Sequence, residues 1–299
     1  MAHHHDHDHS IKGGRLFLSV LLNVFITVAQ VIGGLLSGSM ALLSDALHNF
    51  SDVLSLTISY VAHKLSDRKH TVRHTFGYQR AEILAAFINS VTLIGVAVFL
   101  GIEAINRIIQ PETIKSSIVI WLAVASIVVN GSSVLLIHRG ADSNINIKSA
   151  YLHLLTDMMT SFALLIGGLL MKYFQIYWVD GITTLLIAFY LVYSSWNLFV
   201  ESINIIMLFS PKEVDVKELK HKIESIEGIK NIHHLHLWRL TDNHINMEAH
   251  VDLERDLPTS EFESCLEHIQ LAARELGIHH VTIQPEYSVS DNKELISNH

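Results

Sequence analysis

Long uncharged stretches recur along the first two-thirds of the chain and are separated by short polar segments. Four stretches carry no charge over 19 to 21 residues: Leu16–Leu36, Ile83–Ile102, Ile118–Ile137 and Ile182–Val200. Each can cross about 30 Å of hydrocarbon as an α-helix that rises roughly 1.5 Å per residue. Two more apolar stretches, about Met40–Ala62 and about Ser149–Met171, contain ionisable side chains. The pattern predicts six transmembrane helices, the fifth of which is expected to begin before Ser149, near Ile145.

A different pattern begins near residue 210, where helical and strand-like periodicities alternate. "VDVKELKHKIESIEG" has apolar residues at helical spacing and ends on glycine, and "PTSEFESCLEHIQLAARELG" begins and ends with typical helix-terminal residues. "IHHLHLWRL", "HINMEAHVDLE" and "IHHVTIQPEY" are typical of strands. The order α-β-β-α-β predicts a small α+β sandwich in which two helices cover one sheet.

These patterns divide the chain into four predicted segments. A His-rich tail covers residues 1–12, a six-helix transmembrane domain covers 13–209, the α+β domain covers 210–287, and a short tail covers 288–299. The first apolar stretch is too long for the apolar core of a signal peptide, so we predict that it is retained.

Composition agrees with a membrane protein, because 49% of the residues are hydrophobic and only 17% are charged. Residues 210–299 hold 17 acidic against nine basic side chains, so the formal net charge of −8 falls entirely within them. An acidic domain repels nucleic acid and anionic headgroups and attracts cations. We therefore predict no nucleic-acid partner.

Lysine and arginine predict the orientation of the chain in the membrane. With both termini inside, the inner segments hold nine Lys and Arg residues and the outer loops hold three. This asymmetry favours cytoplasmic termini. Cys265, the single cysteine, then lies in a reducing compartment without a partner, and we expect a small buried apolar side chain there.

One six-residue pattern occurs twice within the apolar part of the chain. "LHNFSD" at 47–52 is echoed by "LHLLTD" at 152–157. Residues four apart share a helix face, so His48 and Asp52 point the same way, as do His153 and Asp157. Because an ionisable group within a membrane costs at least a few kcal/mol, two copies of one pattern indicate a functional site.

Histidine is abundant, with 21 residues in the chain. Imidazole and carboxylate with almost no thiol suit zinc, and the two repeats supply the four ligands of a tetrahedral zinc shell. Asp45, one turn before His48, is either an acceptor that fixes the imidazole tautomer or an accessory entry group. The tract "HHHDHDH" at residues 3–9 is at best a weak, solvent-exposed metal site, and a disordered tail is the alternative.

Four motifs together resemble the cation diffusion facilitators, in particular bacterial zinc exporters. They are "GSMALLSDALHNFSD", "RHTFGYQRAEILAAFINS", "SAYLHLLTD" and "IHHLHLWRL" with "GIHHVTIQPE". The resemblance covers about residues 10 to 287. It implies six membrane helices, a ferredoxin-like cytoplasmic domain, a homodimer in the bacterial inner membrane, and exchange of cytoplasmic Zn²⁺ for H⁺, with Cd²⁺ as a further candidate ion.

The resemblance also assigns residues. It implies that His48, Asp52, His153 and Asp157 form the transport site on helices two and five, and that the histidine on helix two favours zinc. In the cytoplasmic domain it implies a regulatory zinc site, whose residues would be His233, His250 and Glu286, with His279 and His268 nearby. Strand alternation predicts that His234 and His236 point to the opposite sheet face from His233.

The sequence departs from the family in the loop between helices two and three. Some members hold a metal ion there through one aspartate and two histidines. In this chain only His74 matches, because Thr71 and Tyr78 occupy the other two positions, and His70 alone does not restore the set. We therefore expect no loop site.

Two other classes of function need separating from a transporter. A membrane metalloenzyme would require a His-rich cluster at one membrane face with an open coordination position, which the dispersed pairs fit poorly. A channel would conduct zinc without dependence on a pH difference, and a sensor would bind it without flux. We predict an antiporter that alternates between inward- and outward-open states around a fixed site, and not an enzyme.

Overall fold

The computed structural model describes residues 8–66, 68–141, 145–290 and 292–296, with side chains except at 8–20, 56, 59, 60, 63, 136–141 and 145–150. The side chains of the His-rich tract lie outside this set. The chain forms two compact units. One comprises the chain up to Ile58 and Ile88–Asn197, and the other comprises Ser59–Phe87 and the chain from Leu198 onward.

Six long helices occupy the positions of the six predicted spans. They are α1 (Asp8–Ser37), α2 (Met40–Ser66), α3 (Ala81–Ile109), α4 (Ser116–Ala141), α5 (Ile145–Phe174) and α6 (Trp178–Ile206). The start of α5 at Ile145 confirms the prediction that this helix begins before Ser149. The two repeats therefore lie inside helices rather than at their ends.

Four described segments are long and apolar enough to cross a membrane: Ala81–Ile109, Ser116–Leu135, Tyr151–Phe174 and Trp178–Ile206. Leu21–Ser37 of α1 is apolar but shorter within the described side chains. In α2, mean hydropathy is lowered by Asp45, His48 and Asp52, the side chains that the sequence singles out. The least apolar of the six long helices is thus one that carries a repeat.

The N-terminus of α2 is held by a carboxylate from α6. Asp180 is buried and accepts hydrogen bonds from Ser39 Oγ at 2.5 Å, Met40 N at 2.8 Å and Ala41 N at 3.3 Å. The backbone N–H groups at a helix start have no partners within the helix, and an anion satisfies them. The chain reverses just before them at Gly38, whose φ of +75° suits glycine. This contact fixes where α2 begins.

The C-terminal domain has the predicted order of elements. It contains α7 (Val216–Glu224), β1 (Ile229–Thr241), β2 (His244–Leu253), α8 (Thr259–Glu275) and β3 (His280–Glu286). The sheet order is β1-β2-β3, in which β1 and β2 are antiparallel and β2 and β3 are parallel. A parallel neighbour needs a crossover connection, which α8 provides.

Both helices of this domain pack on one face of the sheet. The buried residues that α7 and α8 contribute to this core include Leu219, Ile223, Ile269 and Ala273. They meet apolar strand residues that alternate along β2, namely Met247, Ala249, Val251 and Leu253. The opposite face is left to the intervening residues of β2, which include His250 and Asp252.

Candidate metal sites

The two repeats meet in the helical unit as a ring of four side chains, here named the membrane quartet: His48, Asp52, His153 and Asp157. His48 Nε2 lies 3.7 Å from Asp52 Oδ2 and 3.7 Å from Asp157 Oδ1. His153 Nε2 lies 3.4 Å from Asp52 Oδ2 and 3.6 Å from Asp157 Oδ2. Each imidazole therefore faces both carboxylates, one from its own helix and one from the other.

These distances are longer than a direct N–H···O hydrogen bond. Ligand atoms around a tetrahedral zinc ion, with bonds of about 2.0–2.1 Å, lie about 3.3–3.4 Å apart. The imidazole–carboxylate separations approach that value. The ring centroids of His48 and His153 are 6.0 Å apart. Among the described residues, the quartet is not a group whose ligand atoms all lie within 4.8 Å of one another, so it must contract for all four ligands to reach one ion.

Two members of the quartet, His48 and Asp157, are buried and their polar atoms lack partners within the described residues. Asp157 is 1% exposed and His48 is 7% exposed. Neither carboxylate oxygen of Asp157 and neither ring nitrogen of His48 makes a hydrogen bond within the described part of the chain. Because unpaired buried polar atoms cost free energy, such an arrangement is explained by a ligand that satisfies them. Asp52 and His153 are more exposed, which leaves one side of the quartet open.

Asp45 lies beside the quartet. Its contacts differ from both roles suggested by the sequence, which are fixing the imidazole tautomer and serving as an entry group. Its carboxylate accepts hydrogen bonds from Gln30 Nε2 at 2.7 Å and from Thr160 Oγ1 at 3.0 Å. Gln30 Oε1 in turn accepts from Asn49 Nδ2 at 3.2 Å. Asp45 is 1% exposed and makes no hydrogen bond to His48, so it neither fixes the imidazole tautomer nor offers an entry point. It joins α1, α2 and α5 behind the quartet.

One further residue packs on the quartet without any signal in the sequence. The ring centroid of Tyr190, on α6, lies 5.9 Å from that of His48, with the rings nearly perpendicular. An edge-to-face aromatic contact of this kind restrains the imidazole plane. Tyr190 stands in an ordinary apolar stretch, so only the packing of α6 against α2 reveals it.

A second group of ligands lies on the helix-free face of the C-terminal sheet and is named the C-terminal cluster: His233, His250 and Glu286. One ligand atom from each lies within 4.8 Å of the others. His250 Nδ1 is 2.8 Å from Glu286 Oε1, and His233 Nε2 is 3.3 Å from Glu286 Oε2. His233 and Glu286 are buried, whereas His250 is partly exposed. The three residues that the resemblance assigns are therefore adjacent.

Strand pairing explains how distant positions come together. His233 of β1 pairs with His250 of β2, and Asp252 of β2 pairs with Glu286 of β3. Asp252 joins the cluster, because its Oδ2 lies 3.7 Å from His233 Nδ1. The sequence reasoning missed Asp252. Its position two residues after His250, on the same strand face, is the signal that could have found it.

The predicted orientation of His234 and His236 is wrong. A β-bulge shifts the register between His233 and His236, and His234 has a φ of +50°. The extra residue resets the alternation, so His236 pairs with Glu248 on the same sheet face as His250. The ring of His234 lies 4.6 Å from that of His250 and 4.9 Å from that of His236. Simple alternation cannot anticipate such a bulge.

Neither of the two nearby histidines suggested by the resemblance reaches the C-terminal cluster. His279 lies at the other end of β2, where its ring stacks on His244 with centroids 5.2 Å apart and its Nδ1 accepts from Ile245 N at 3.3 Å. Burial, and then His279 and His280, lower the pKa of His244. His268 is exposed on α8, where its Nδ1 is 2.8 Å from Ser264 O.

The loop between α2 and α3 uses its histidines for its own structure. His70 Nδ1 lies 2.6 Å from Thr75 O, and the ring of His74 stacks on Tyr78 with centroids 5.1 Å apart. Thr71 and His74 form a short antiparallel bridge.

Comparison with known proteins identifies the family. The family model for the cation efflux transmembrane domain matches residues 16–207. The family model for the cation efflux protein cytoplasmic domain matches residues 211–288. The chain belongs to the cation efflux family. Its members are transporters, which confirms the resemblance to cation diffusion facilitators and excludes the enzyme alternative.

Three relatives illustrate the family. The cadmium, cobalt and zinc/H⁺-K⁺ antiporter of Bacillus subtilis is 34% identical over 98% of this chain and 94% of that protein. The zinc transporter ZitB of Pectobacterium atrosepticum is 35% identical over 98% and 91%. The metal cation efflux system protein CzcD of Cupriavidus metallidurans is 33% identical over 94% and 89%. The similarity extends through both domains.

Proposed function

We propose that this transporter exports Zn²⁺ from the cytoplasm in exchange for protons, and that the membrane quartet is its transport site. The observation that carries the proposal is the ring of imidazole–carboxylate distances of 3.4–3.7 Å, in which His48 and Asp157 are buried. Two imidazoles and two carboxylates are a ligand set that suits divalent zinc. The names of the zinc-transporting relatives support the choice of ion.

Exchange follows from the chemistry of the ligands. Zinc binds neutral imidazole and ionised carboxylate, so loading releases protons and arriving protons displace the metal. An ordinary histidine titrates near pH 6.5, within the range that a proton gradient spans. His48 and His153 supply this proton-sensitive part, and Asp52 and Asp157 supply the charge that balances the ion.

Alternating access is the proposed route. The ligands come from α2 and α5 only, so a change in the relative position of these two helices alters access without dismantling either i, i+4 pair. The more exposed side of the quartet, formed by Asp52 and His153, is where an ion reaches it. The distribution of Lys and Arg supports cytoplasmic termini, and we place the protein in the bacterial inner membrane.

We propose a regulatory role for the C-terminal cluster. Two histidines and one glutamate, with Asp252 beside them, fit a zinc ion by number and chemistry. Zinc at His233, His250 and Glu286 would join all three strands and favour one arrangement of the domain. We further propose that the transporter is a homodimer, for which the cytoplasmic domain family gives support, and that Cd²⁺ is a second transported ion.

Zinc flux into proteoliposomes under an imposed pH gradient tests the transport proposal. Wild-type protein is expected to move zinc only when the gradient is present, and Asp157→Ala is expected to abolish that flux. His153→Ala is expected to abolish the flux as well, and His268→Ala is its matched control, because His268 is an exposed histidine outside the quartet. Flux that ignores the gradient would favour a channel, and flux that survives Asp157→Ala would reject the quartet as the transport site.

A further inference from the structure

Lys293, in the tail that follows β3, places its ammonium group in the C-terminal cluster. Its Nζ lies 2.8 Å from Asp252 Oδ1 and 3.0 Å from Glu286 Oε2. It also lies 3.4 Å from His233 Nε2. Asp252 and Glu286 both have side chains less than 15% exposed, so the ammonium bridges two largely buried carboxylates. A cation thus already contacts His233 and Glu286 of the cluster together with Asp252.

The two residues that follow Lys293 anchor the tail to β1. His234 N donates to Glu294 O at 3.2 Å, and Leu235 N donates to Leu295 O at 2.8 Å. These two donors belong to the bulge of β1, where the register with β2 is interrupted. The side chain of Leu295 packs against the core of the domain. Residues 292–296 therefore form a docked strap rather than a loose end.

The same carboxylate oxygen serves the lysine and the candidate metal site. Glu286 Oε2 lies 3.0 Å from Lys293 Nζ and 3.3 Å from His233 Nε2, so a metal ion bound by His233 and Glu286 would need the space that the ammonium fills. Two positive charges a few ångströms apart repel each other strongly in a partly buried site. Lysine and metal therefore exclude each other.

We propose that Lys293 is an affinity-determining residue of the C-terminal cluster, a tethered cation that a divalent metal ion must displace. This inference rests on the regulatory zinc site proposed above. Only molecules in which the strap is undocked can bind the metal. The apparent zinc affinity is therefore the intrinsic affinity multiplied by the undocked fraction. Zinc binding releases the strap from the bulge of β1, so the tail changes its contacts when cytosolic zinc rises.

Zinc titration of the full-length protein against a chromophoric chelator tests the effect on affinity. Zinc binding that Glu286→Gln removes is assigned to the C-terminal cluster. Binding that remains in this variant is assigned to the membrane quartet and the His-rich tract. Lys293→Met keeps most of the stem and removes the charge, and it is expected to tighten this binding about tenfold or more. Lys230→Met, at an exposed lysine on β1, is expected to leave it unchanged.

Trypsin cleavage of the wild-type protein tests release of the strap without any substitution. The bond after Lys293 is expected to be protected without zinc and to be cleaved faster when zinc is added, whereas cleavage after Lys212, an exposed lysine before α7, keeps its rate. Zinc that slows cleavage after Lys293, or binding that Lys293→Met does not tighten, would overturn the role of Lys293 alone. Absence of any Glu286-dependent zinc binding would overturn the regulatory site as well. The export proposal is tested separately, by zinc flux under a pH gradient.

Discussion

The membrane quartet and the C-terminal cluster are built from the same ligand types, but their ligand atoms are in different states. In the quartet, both oxygens of Asp157 and both nitrogens of His48 lack hydrogen bonds within the described residues. In the cluster, Glu286 contacts His233 and His250 and also binds the ammonium of Lys293. The quartet is thus prepared for an ion or protons, whereas the cluster already holds a charge of its own.

This difference matches the role proposed for each site. A transport site must release its ion, so competition has to come from a mobile species such as the proton. A regulatory site has to respond only above a threshold, and an internal competitor sets that threshold without leaving the protein.

The largest effect is expected from charge removal in the quartet. Asp157→Asn keeps the shape of the side chain but removes a charged ligand, and zinc flux is expected to fall about a hundredfold or more. Proteoliposome flux at several zinc concentrations measures it. Because no lysine or arginine with a described side chain makes an ion pair in the quartet, near-normal flux in this variant would remove the contrast with the C-terminal cluster.

A smaller effect on transport is expected from the cluster. Glu286→Gln should weaken zinc binding at the cytoplasmic domain about 10- to 100-fold while leaving flux at saturating zinc within a few-fold of wild type. Zinc titration and flux on the same preparation distinguish the two readouts. Glu248→Gln is the matched control, because Glu248 is an exposed glutamate on the same face of β2. Loss of flux equal to that of Asp157→Asn would make the cluster part of the transport path.

A moderate loss of stability is expected from the polar network behind the quartet. Thr160→Val removes a hydrogen bond to buried Asp45 and should destabilise the protein by about 1–3 kcal/mol, because one carboxylate oxygen loses a donor. Thermal unfolding in detergent measures the change. Thr92→Val is the control, since the Thr92 hydroxyl bonds only to Ile88 O of its own helix. Equal unfolding temperatures for the two variants would show that Asp45 does not join the helices.

The smallest effect is a pH dependence in the cytoplasmic domain. Burial and two neighbouring histidines lower the pKa of His244, so the unfolded chain binds a proton more readily than the folded one. The resulting loss of stability is absent above the ordinary histidine pKa near 6.5 and grows as the pH falls below it. Thermal unfolding in the presence of a chelator should show a smaller acid-induced decrease for His244→Gln than for wild type. An unchanged decrease would assign it to other groups.

Several features of the molecule could be read from the sequence because they depend on local patterns. Apolar stretches of fixed length predicted the six helices, and even the start of α5 near Ile145 followed from the position of His153 in its span. The spacing of four residues placed His48 with Asp52 and His153 with Asp157. Alternation and turn residues predicted the order of elements in the C-terminal domain. All of these arise from interactions between residues near one another in the chain.

Other features were decided only by tertiary structure. Tyr190 and Asp180 acquire their contacts from the packing of α6 against α2, over sequence separations of about 140 residues. Strand register fixes which residues are neighbours, so Asp252 lies in the C-terminal cluster whereas His279 lies at the other end of β2. The bulge at His234 opened two backbone donors, and the tail docked there with Lys293 among the carboxylates. Periodicity specifies which face a residue occupies, but only the pairing of distant segments specifies what lies opposite it.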